Sequence, residues 1–246
     1  MKTYLTGANG VAEAIKRGRG ILYVSRKAGR AASLAELAAK HGVTVKNVSS
    51  DDILRLIPGV EHRGYALETD SPAGTGKIRS LEDLWPTVGE NSLVMLLDGI
   101  TDPRNLGAVM RAADQFGADA VVVPRRRSAG ADADTLSRSS AGAVEWVPLI
   151  EVTNMPRALE EFKKNGFWIW GADMGGEASS KVNLKGKTAL VMGREGEGLH
   201  RLVKDGCDGL IRIPTGGRLD SLNVATAAGI LMYESRRQQG FPYSGN

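Results

Sequence analysis

The chain has 246 residues, of which 42% are hydrophobic and 24% charged, a composition that excludes disordered and collagen-like proteins. Its longest uncharged run, 221–233, is too short to cross a bilayer, and a single cysteine, Cys207, excludes an internal disulfide, so we expect a cytoplasmic protein without a membrane partner. The formal net charge of +4 is a weak indication of an anionic partner.

Short helical and strand patterns alternate over the first 70 residues. The predicted elements are a helix at 12–16, a strand at 20–24, a helix at 33–40 that opens with a Ser33–Glu36 capping box, and a strand at 43–48. Together they predict a small α/β domain over residues 1–70. Turn-forming residues then predict a linker at 71–90.

The positive charge lies in this first part of the chain. Residues 1–80 hold 13 Lys and Arg against 7 Asp and Glu, whereas residues 81–246 hold 19 against 21. Such an asymmetry is typical of a nucleic-acid-binding module joined to a second domain. A solvated basic surface explains the charge alone equally well.

From residue 91 onward, apolar runs alternate regularly with helical patterns. The predicted strands are 92–97, 120–124, 167–170, 188–192 and 210–214, and the predicted helices are 106–116, 158–164 and a last one that starts near Ser221. Strands that are apolar throughout and separated by helices indicate a mostly parallel sheet covered on both faces. The predicted fold class is therefore α/β, with the larger domain at 91–246.

Three polar, glycine-rich loops each follow a predicted strand and precede a helix, at 98–108, 193–198 and 213–223. Open α/β sheets bind ligands at the carboxyl ends of their strands, so we expect these loops to line one site. Taken singly, Asn105 and Ser221 could each cap a helix, and Arg111 could face solvent.

None of the glycine patterns predicts a cradle for a nucleotide phosphate. The segment 6–10 lacks the third glycine of a dinucleotide fingerprint. The loop 193–198 carries Glu195 and Glu197, which would repel a pyrophosphate and suit a ligand that is neutral or cationic at its reactive end. The three histidines are scattered and Cys207 has no neighbour at ligand spacing, so no metal is predicted.

Three motifs in this region resemble those of the SpoU, or TrmH-like, RNA 2′-O-ribose methyltransferases. They are LDGITDPRNLGAVMRAA (97–113), LVMGREGEGL (190–199) and IPTGGRLDSLNVATAAGI (213–230), in the order and spacing of the family. The resemblance covers residues 91–238. The segment 4–68 resembles the small RNA-binding domain related to ribosomal protein L30e, which occurs in the branch that acts on ribosomal RNA.

The resemblance implies an enzyme with a trefoil-knotted, SPOUT-like α/β domain that binds S-adenosylmethionine and has a homodimeric active site. It would transfer a methyl group to a ribose 2′-OH of ribosomal RNA, and we expect a guanosine of large-subunit (23S) rRNA. Two alternatives stay open at this point, a transfer-RNA 2′-O-ribose methyltransferase and a non-catalytic RNA-binding protein.

The family motifs also imply two sets of site residues. The cofactor-binding set is Met192, Gly193, Gly198, Ile213 and Leu222, and the set expected at the reaction centre is Arg111, Asn105, Glu195, Ser221 and Asn223. Arg111 is expected to hold the ribose phosphate and stabilise developing negative charge on oxygen, because a guanidinium is a poor base. Asn105 would orient Arg111 or the ribose, and Glu195 would fix its loop or an arginine.

Overall fold

Two β-sheets organise the residues that the structure, a computed structural model, describes, namely 3–25, 29–60, 62–69, 78–125, 133–194, 196–218 and 221–242. The first sheet belongs to an N-terminal unit with strands β1 (Thr3–Leu5), β2 (Ile21–Val24), β3 (Thr44–Asn47) and β4 (Tyr65–Thr69), and helices α1 (Ala8–Lys16), α2 (Arg30–Lys40) and α3 (Ser50–Leu56). Its strand order is β1-β4-β2-β3, in which only the β2–β3 pair is parallel. Buried aliphatic side chains of α1, α2 and β2 form its core.

One predicted helix start in this unit is wrong. Helix α2 begins at Arg30 after Gly29 and has no side-chain cap, so Ser33 lies inside its first turn instead of forming a capping box with Glu36. Ala31 is buried on the apolar face of α2, and the helix begins about one turn earlier than predicted. The capping box of this unit belongs to α3, where Ser49 is the N-cap.

The second sheet forms the C-terminal unit. Its strands are β5 (Leu93–Leu97), β6 (Ala120–Pro124), β7 (Leu149–Val152), β8 (Trp168–Ala178), β9 (Thr188–Met192) and β10 (Gly209–Arg212), and its helices are α4 (Leu81–Leu84), α5 (Pro103–Gln115), α6 (Ala133–Ser139), α7 (Met155–Lys164), α8 (Arg201–Asp205) and α9 (Val224–Gln238). The strand order is β10-β8-β9-β5-β6-β7, and all of these pairs are parallel. The predicted α/β class with a mostly parallel sheet is confirmed.

Helices cover both faces of this sheet. Successive residues of β5 alternate between two apolar clusters, with Met95 in one and Leu96 in the other. Helices α5 and α9 pack into the first cluster, and α7 packs into the second. A fully buried aliphatic side chain stabilises a fold by about 1.5–3 kcal/mol. Strands that are apolar on both faces therefore stabilise the fold most when helices cover both faces of the sheet.

Several boundaries differ from the prediction. The strand predicted at 167–170 is the first part of the eleven-residue β8, and α9 begins at Val224 rather than near Ser221. Helix α6 and strand β7 have no counterpart among the predicted elements.

None of the described helices has the length and apolar character needed to span a membrane.

Helix α1 of the N-terminal unit packs directly on the C-terminal unit. A Cβ at Gly10 would overlap the hydroxyl of Ser137 in α6, so glycine permits the close approach of the two helices. Arg19 pairs with Glu145 at 2.6 Å, and Glu145 is 1% exposed. Burial raises the pKa of Glu145, and the charge of Arg19 opposes that shift.

The domain bounds at 1–70, 71–90 and 91–246 stay a prediction, as does the trefoil knot.

Arg236 of α9 provides a test of how the C-terminal unit is held together. Its guanidinium donates to the backbone oxygens of Phe116, at 2.7 Å, Asn91, at 2.7 Å, and Gly117. We expect Arg236→Leu to lower the free energy of unfolding by about 3 kcal/mol, because buried carbonyl groups lose their donors. The measurement is urea unfolding.

The matched control is Arg237→Leu, because Arg237 pairs with Glu234 at the protein surface. This variant should unfold at nearly the same urea concentration as the unmodified chain. Equal effects of the two substitutions would contradict the role given to Arg236.

Candidate active site

A cavity of about 350 Å³ lies at the carboxyl ends of β9 and β10, beside the middle of β8. The loops that follow β9 and β10 supply half of its lining residues. Six of the predicted site residues line it, namely Met192, Gly193, Gly198, Ile213, Ser221 and Leu222. The structure therefore brings the second and third motifs together at one place, as expected for loops at the same end of a parallel sheet.

The loop after β9 closes on itself through backbone contacts. The amide of Arg194 donates to the oxygen of Gly198 at 3.0 Å, and the amide of Gly198 donates back at 2.9 Å. Gly196 and Gly198 have φ angles of +79° and +73°, which side chains disfavour. A Cβ at Gly193 would overlap the backbone of Gly198. The glycines are thus required by the shape of this cavity wall.

Strand β8 contributes a wall that the sequence analysis missed. Ala172, Asp173 and Met174 line the cavity, although the strand was predicted to end at residue 170. Lys204 donates to a carboxylate oxygen of Asp173 at 2.6 Å, and this hydrogen bond lowers the pKa of Asp173. The polar, glycine-containing sequence that continues β8 gave no periodic signal for a strand.

A second cavity, of about 330 Å³, adjoins the first and is more polar. The two share Arg194, Glu197 and Val224, and the first motif supplies the rest of the second cavity. Arg194 pairs with Glu197 at 2.9 Å. The Nε of Arg194 is buried and has no hydrogen-bond partner among the described residues.

The first and third motifs meet through two asparagines. Asn223 donates from Nδ2 to Oδ1 of Asn105 at 3.0 Å, across 118 positions of sequence. The alternative that Asn105 and Ser221 are helix caps is wrong, because Asp102 caps α5 and Asn223 caps α9. Asn105 instead lines the polar cavity.

Arg111 is not brought to either cavity. It lies on the exposed side of α5, six residues after Asn105, and six residues of helix rise by about 9 Å. Arg111 lines neither cavity of its own chain. Glu195, the other charged residue of the expected reaction centre, lies outside the described residues.

Asp98 ties the first motif to the second. Its carboxylate is buried and accepts from the amide of His200 at 2.8 Å, and it contacts Nδ1 of His200 at 2.9 Å. The amide of Asp98 also donates to the oxygen of Met192 at 2.7 Å. His200 therefore lies at the contact between two loops of the site.

The remaining candidates for reactive chemistry are the Cys207 thiol and groups of side chains that could bind a metal ion. Burial raises the pKa of the Cys207 thiol to about 12, which fits a packing residue and disfavours a nucleophile. Within the described ranges, no three His, Cys, Asp or Glu side chains are grouped so that they could hold a metal ion.

Comparison with known proteins shows the family. The model of the SpoU rRNA Methylase family matches residues 92–233, which contain all three motifs. This chain belongs to the SpoU rRNA methylase family. The match covers the residues that form both cavities.

Relatives of this SpoU chain span most of its length. It is 41% identical over 211 residues to the 23S rRNA (guanosine-2′-O-)-methyltransferase RlmB of Neisseria meningitidis, which covers 85% of this chain and 83% of the relative. The RlmB of Xanthomonas campestris pv. campestris is 35% identical over 96% of both chains. The structure of the SpoU methyltransferase AviRb from Streptomyces viridochromogenes in complex with AdoMet has a TM-score of 0.77 and 25% identity, and covers 96% of this chain and 90% of AviRb.

The contact between Gly193 and Gly198 gives a test of the first cavity. We expect Gly193→Ala to weaken the binding of S-adenosylmethionine more than about tenfold, because the new Cβ forces the loop to open. Isothermal titration with S-adenosylmethionine measures the change. The control is Gly216→Ala, because a Cβ at Gly216 would meet nothing within 4 Å. Unchanged affinity of Gly193→Ala would contradict this account of the cavity wall.

Proposed function

We propose that this chain transfers the methyl group of S-adenosylmethionine to a ribose 2′-OH of a guanosine in 23S ribosomal RNA, and that it acts in the cytoplasm as a homodimer. The observation that carries the proposal is the meeting of all three family motifs at two adjoining cavities. The names of the full-length relatives support the substrate class.

The first cavity suits S-adenosylmethionine. Its volume of about 350 Å³ lies in the range of small-molecule sites, and residues of two glycine-containing loops line it. Met192, Gly193, Ile213 and Leu222 are proposed to hold the cofactor. Bound there, the cofactor supplies an electrophilic methyl group on a cationic sulfonium. The charged groups of its wall are the carboxylates of Asp173 and Glu197 and the guanidinium groups of Arg194 and Arg212.

The polar second cavity suits the target ribose. Asn105 is held in place there by Asn223, so its amide can orient the sugar without losing side-chain entropy on binding. Arg194, whose guanidinium can donate hydrogen bonds, also lines this cavity. Because the two cavities share a wall, the ribose oxygen can face the methyl group.

Arg111 is proposed to bind the ribose phosphate and to stabilise the developing oxyanion. It has no place in the cavities of its own chain, so we assign it to the cavity of the partner subunit in the homodimer. Glu195 is proposed to fix the loop that follows β9. A guanidinium suits charge stabilisation because it stays protonated at neutral pH.

Ribosomal RNA is favoured over transfer RNA as the substrate. The basic N-terminal third provides a surface for a large RNA, and the relatives named for 23S rRNA extend over it. A non-catalytic RNA-binding protein is disfavoured because Asn105, Arg111 and Asn223 are all present.

The test is methyl transfer from labelled S-adenosylmethionine to a 23S rRNA transcript. We expect Arg111→Ala to reduce the turnover by at least about 100-fold, because the oxyanion loses a charged donor, and to bind S-adenosylmethionine as the unmodified chain does. Arg157→Ala is the control, because this exposed arginine of α7 lies on the opposite face of the sheet.

Two outcomes would contradict the proposal in different ways. Full turnover of the Arg111→Ala variant would remove Arg111 from the reaction. Faster methylation of a transfer-RNA transcript than of 23S rRNA would overturn the assigned substrate.

A further inference from the structure

A small cavity at the junction of the two units has no part in the site described above. Its volume is about 140 Å³. It is lined by Thr6, Gly7, Ala8, Arg63 and Tyr65 of the N-terminal unit and by Arg138 of α6. It is too small for a whole nucleotide, since small-molecule sites usually take at least about 300 Å³, but it has room for a single phosphate group and a few waters.

The N-terminus of α1 opens into this cavity. The nine-residue helix has Gly7 as its N-cap, receives no side-chain cap and has no acidic residue in its first turn. The amides of a first helical turn have no partner within the helix and carry partial positive charge. An anion in the cavity would accept hydrogen bonds from them.

Tyr65 independently indicates a missing ligand. Its side chain is fully buried, and its hydroxyl has no hydrogen-bond partner in the described part of the chain. Buried hydroxyl groups normally have a hydrogen-bond partner, because an unpaired one loses its hydrogen bonds to water and gains none within the protein. Since Tyr65 lines the cavity, a ligand oxygen there would supply the partner.

Two arginines give the cavity its charge. Arg138 donates from Nη2 to the hydroxyl of Thr6 at 2.6 Å, and its side chain packs so close to Gly7 that a Cβ there would meet its Cγ. Arg63 is exposed and makes no ion pair with any described residue. Among the lining residues that the structure describes, none carries a carboxylate.

We propose that this junction cavity binds one phosphate of the RNA backbone. The inference rests on the proposed function, which makes RNA the substrate. The phosphate oxygens accept from the first amides of α1, from the Tyr65 hydroxyl and from Arg63 and Arg138. Phosphate contacts fix the register of a protein on its RNA, and this one involves both units at once. It would therefore set the position of the N-terminal unit on the RNA relative to the methyl-transfer cavities.

The test measures binding of the full chain to a 23S rRNA transcript over a series of salt concentrations. We expect the double variant Arg63→Gln, Arg138→Gln to lower the slope of log affinity against log salt by about 0.7–0.9, the value for one phosphate contact. We expect Tyr65→Phe to weaken RNA binding about fivefold, because a hydrogen bond to a charged group is lost. Arg157→Gln, which removes a charge from the opposite face of the C-terminal unit, is the control.

The tyrosine variant separates ligand binding from folding. Phe keeps the buried ring and removes only an unpaired hydroxyl, so the thermal midpoint of the RNA-free chain should stay the same or rise. Weaker RNA binding with an unchanged midpoint supports the site even if the arginine variant fails to fold. Unchanged RNA affinity of Tyr65→Phe, with methyl transfer to 23S rRNA intact, overturns the junction site and leaves the proposed function standing.

A last arm distinguishes RNA from a free anion. Inorganic phosphate that raises the thermal midpoint of the unmodified chain, without any effect of the variants on RNA binding, would assign the cavity to a free anion and overturn the RNA assignment. An unmodified chain that binds no 23S rRNA would overturn both proposals.

Discussion

The close approach of Gly193 to the backbone of Gly198 is the contact on which the candidate active site depends. Strand β9 ends at Met192, and the chain must turn at once to form a cavity wall rather than continue away from the sheet. The reciprocal hydrogen bonds of Arg194 and Gly198 close that turn. A side chain at Gly193 would separate the two strands of the loop, and the wall shared by both cavities would be lost.

The other two motifs are attached to this loop by buried polar contacts. Asp98 connects the end of β5 to the segment after the glycine loop through His200. Asn223 both caps α9 and reaches Asn105 of α5. The single side chain of Asn223 makes both contacts, because an asparagine carries an acceptor for helix amides and a donor for a second partner. Loops distant in sequence thus hold each other in a fixed arrangement.

The sequence allowed prediction of the parallel sheet and of most of the cavity wall, because apolar strands and glycine loops are local patterns. It did not allow prediction of Asp173, because β8 continues through a polar, glycine-containing stretch without apolar alternation, where the register with β10 shifts. Nor did it separate the cap of α9 from its neighbours, since Ser221 and Asn223 are both good capping residues. The role of His200 and the junction cavity depend on contacts between distant segments, which no local pattern encodes.

The net charge of +4 is the sum of a basic first third and a slightly acidic remainder, and the proposals assign RNA binding to the first and methyl transfer to the second. The central claim is that this chain methylates a ribose of 23S rRNA. Ribose-methylation mapping of ribosomal RNA, in cells with and without the protein, tests it most directly. The account predicts that a single guanosine of 23S rRNA loses its 2′-O-methyl group when the protein is absent. Identical methylation maps of ribosomal RNA from cells with and without the protein would contradict it.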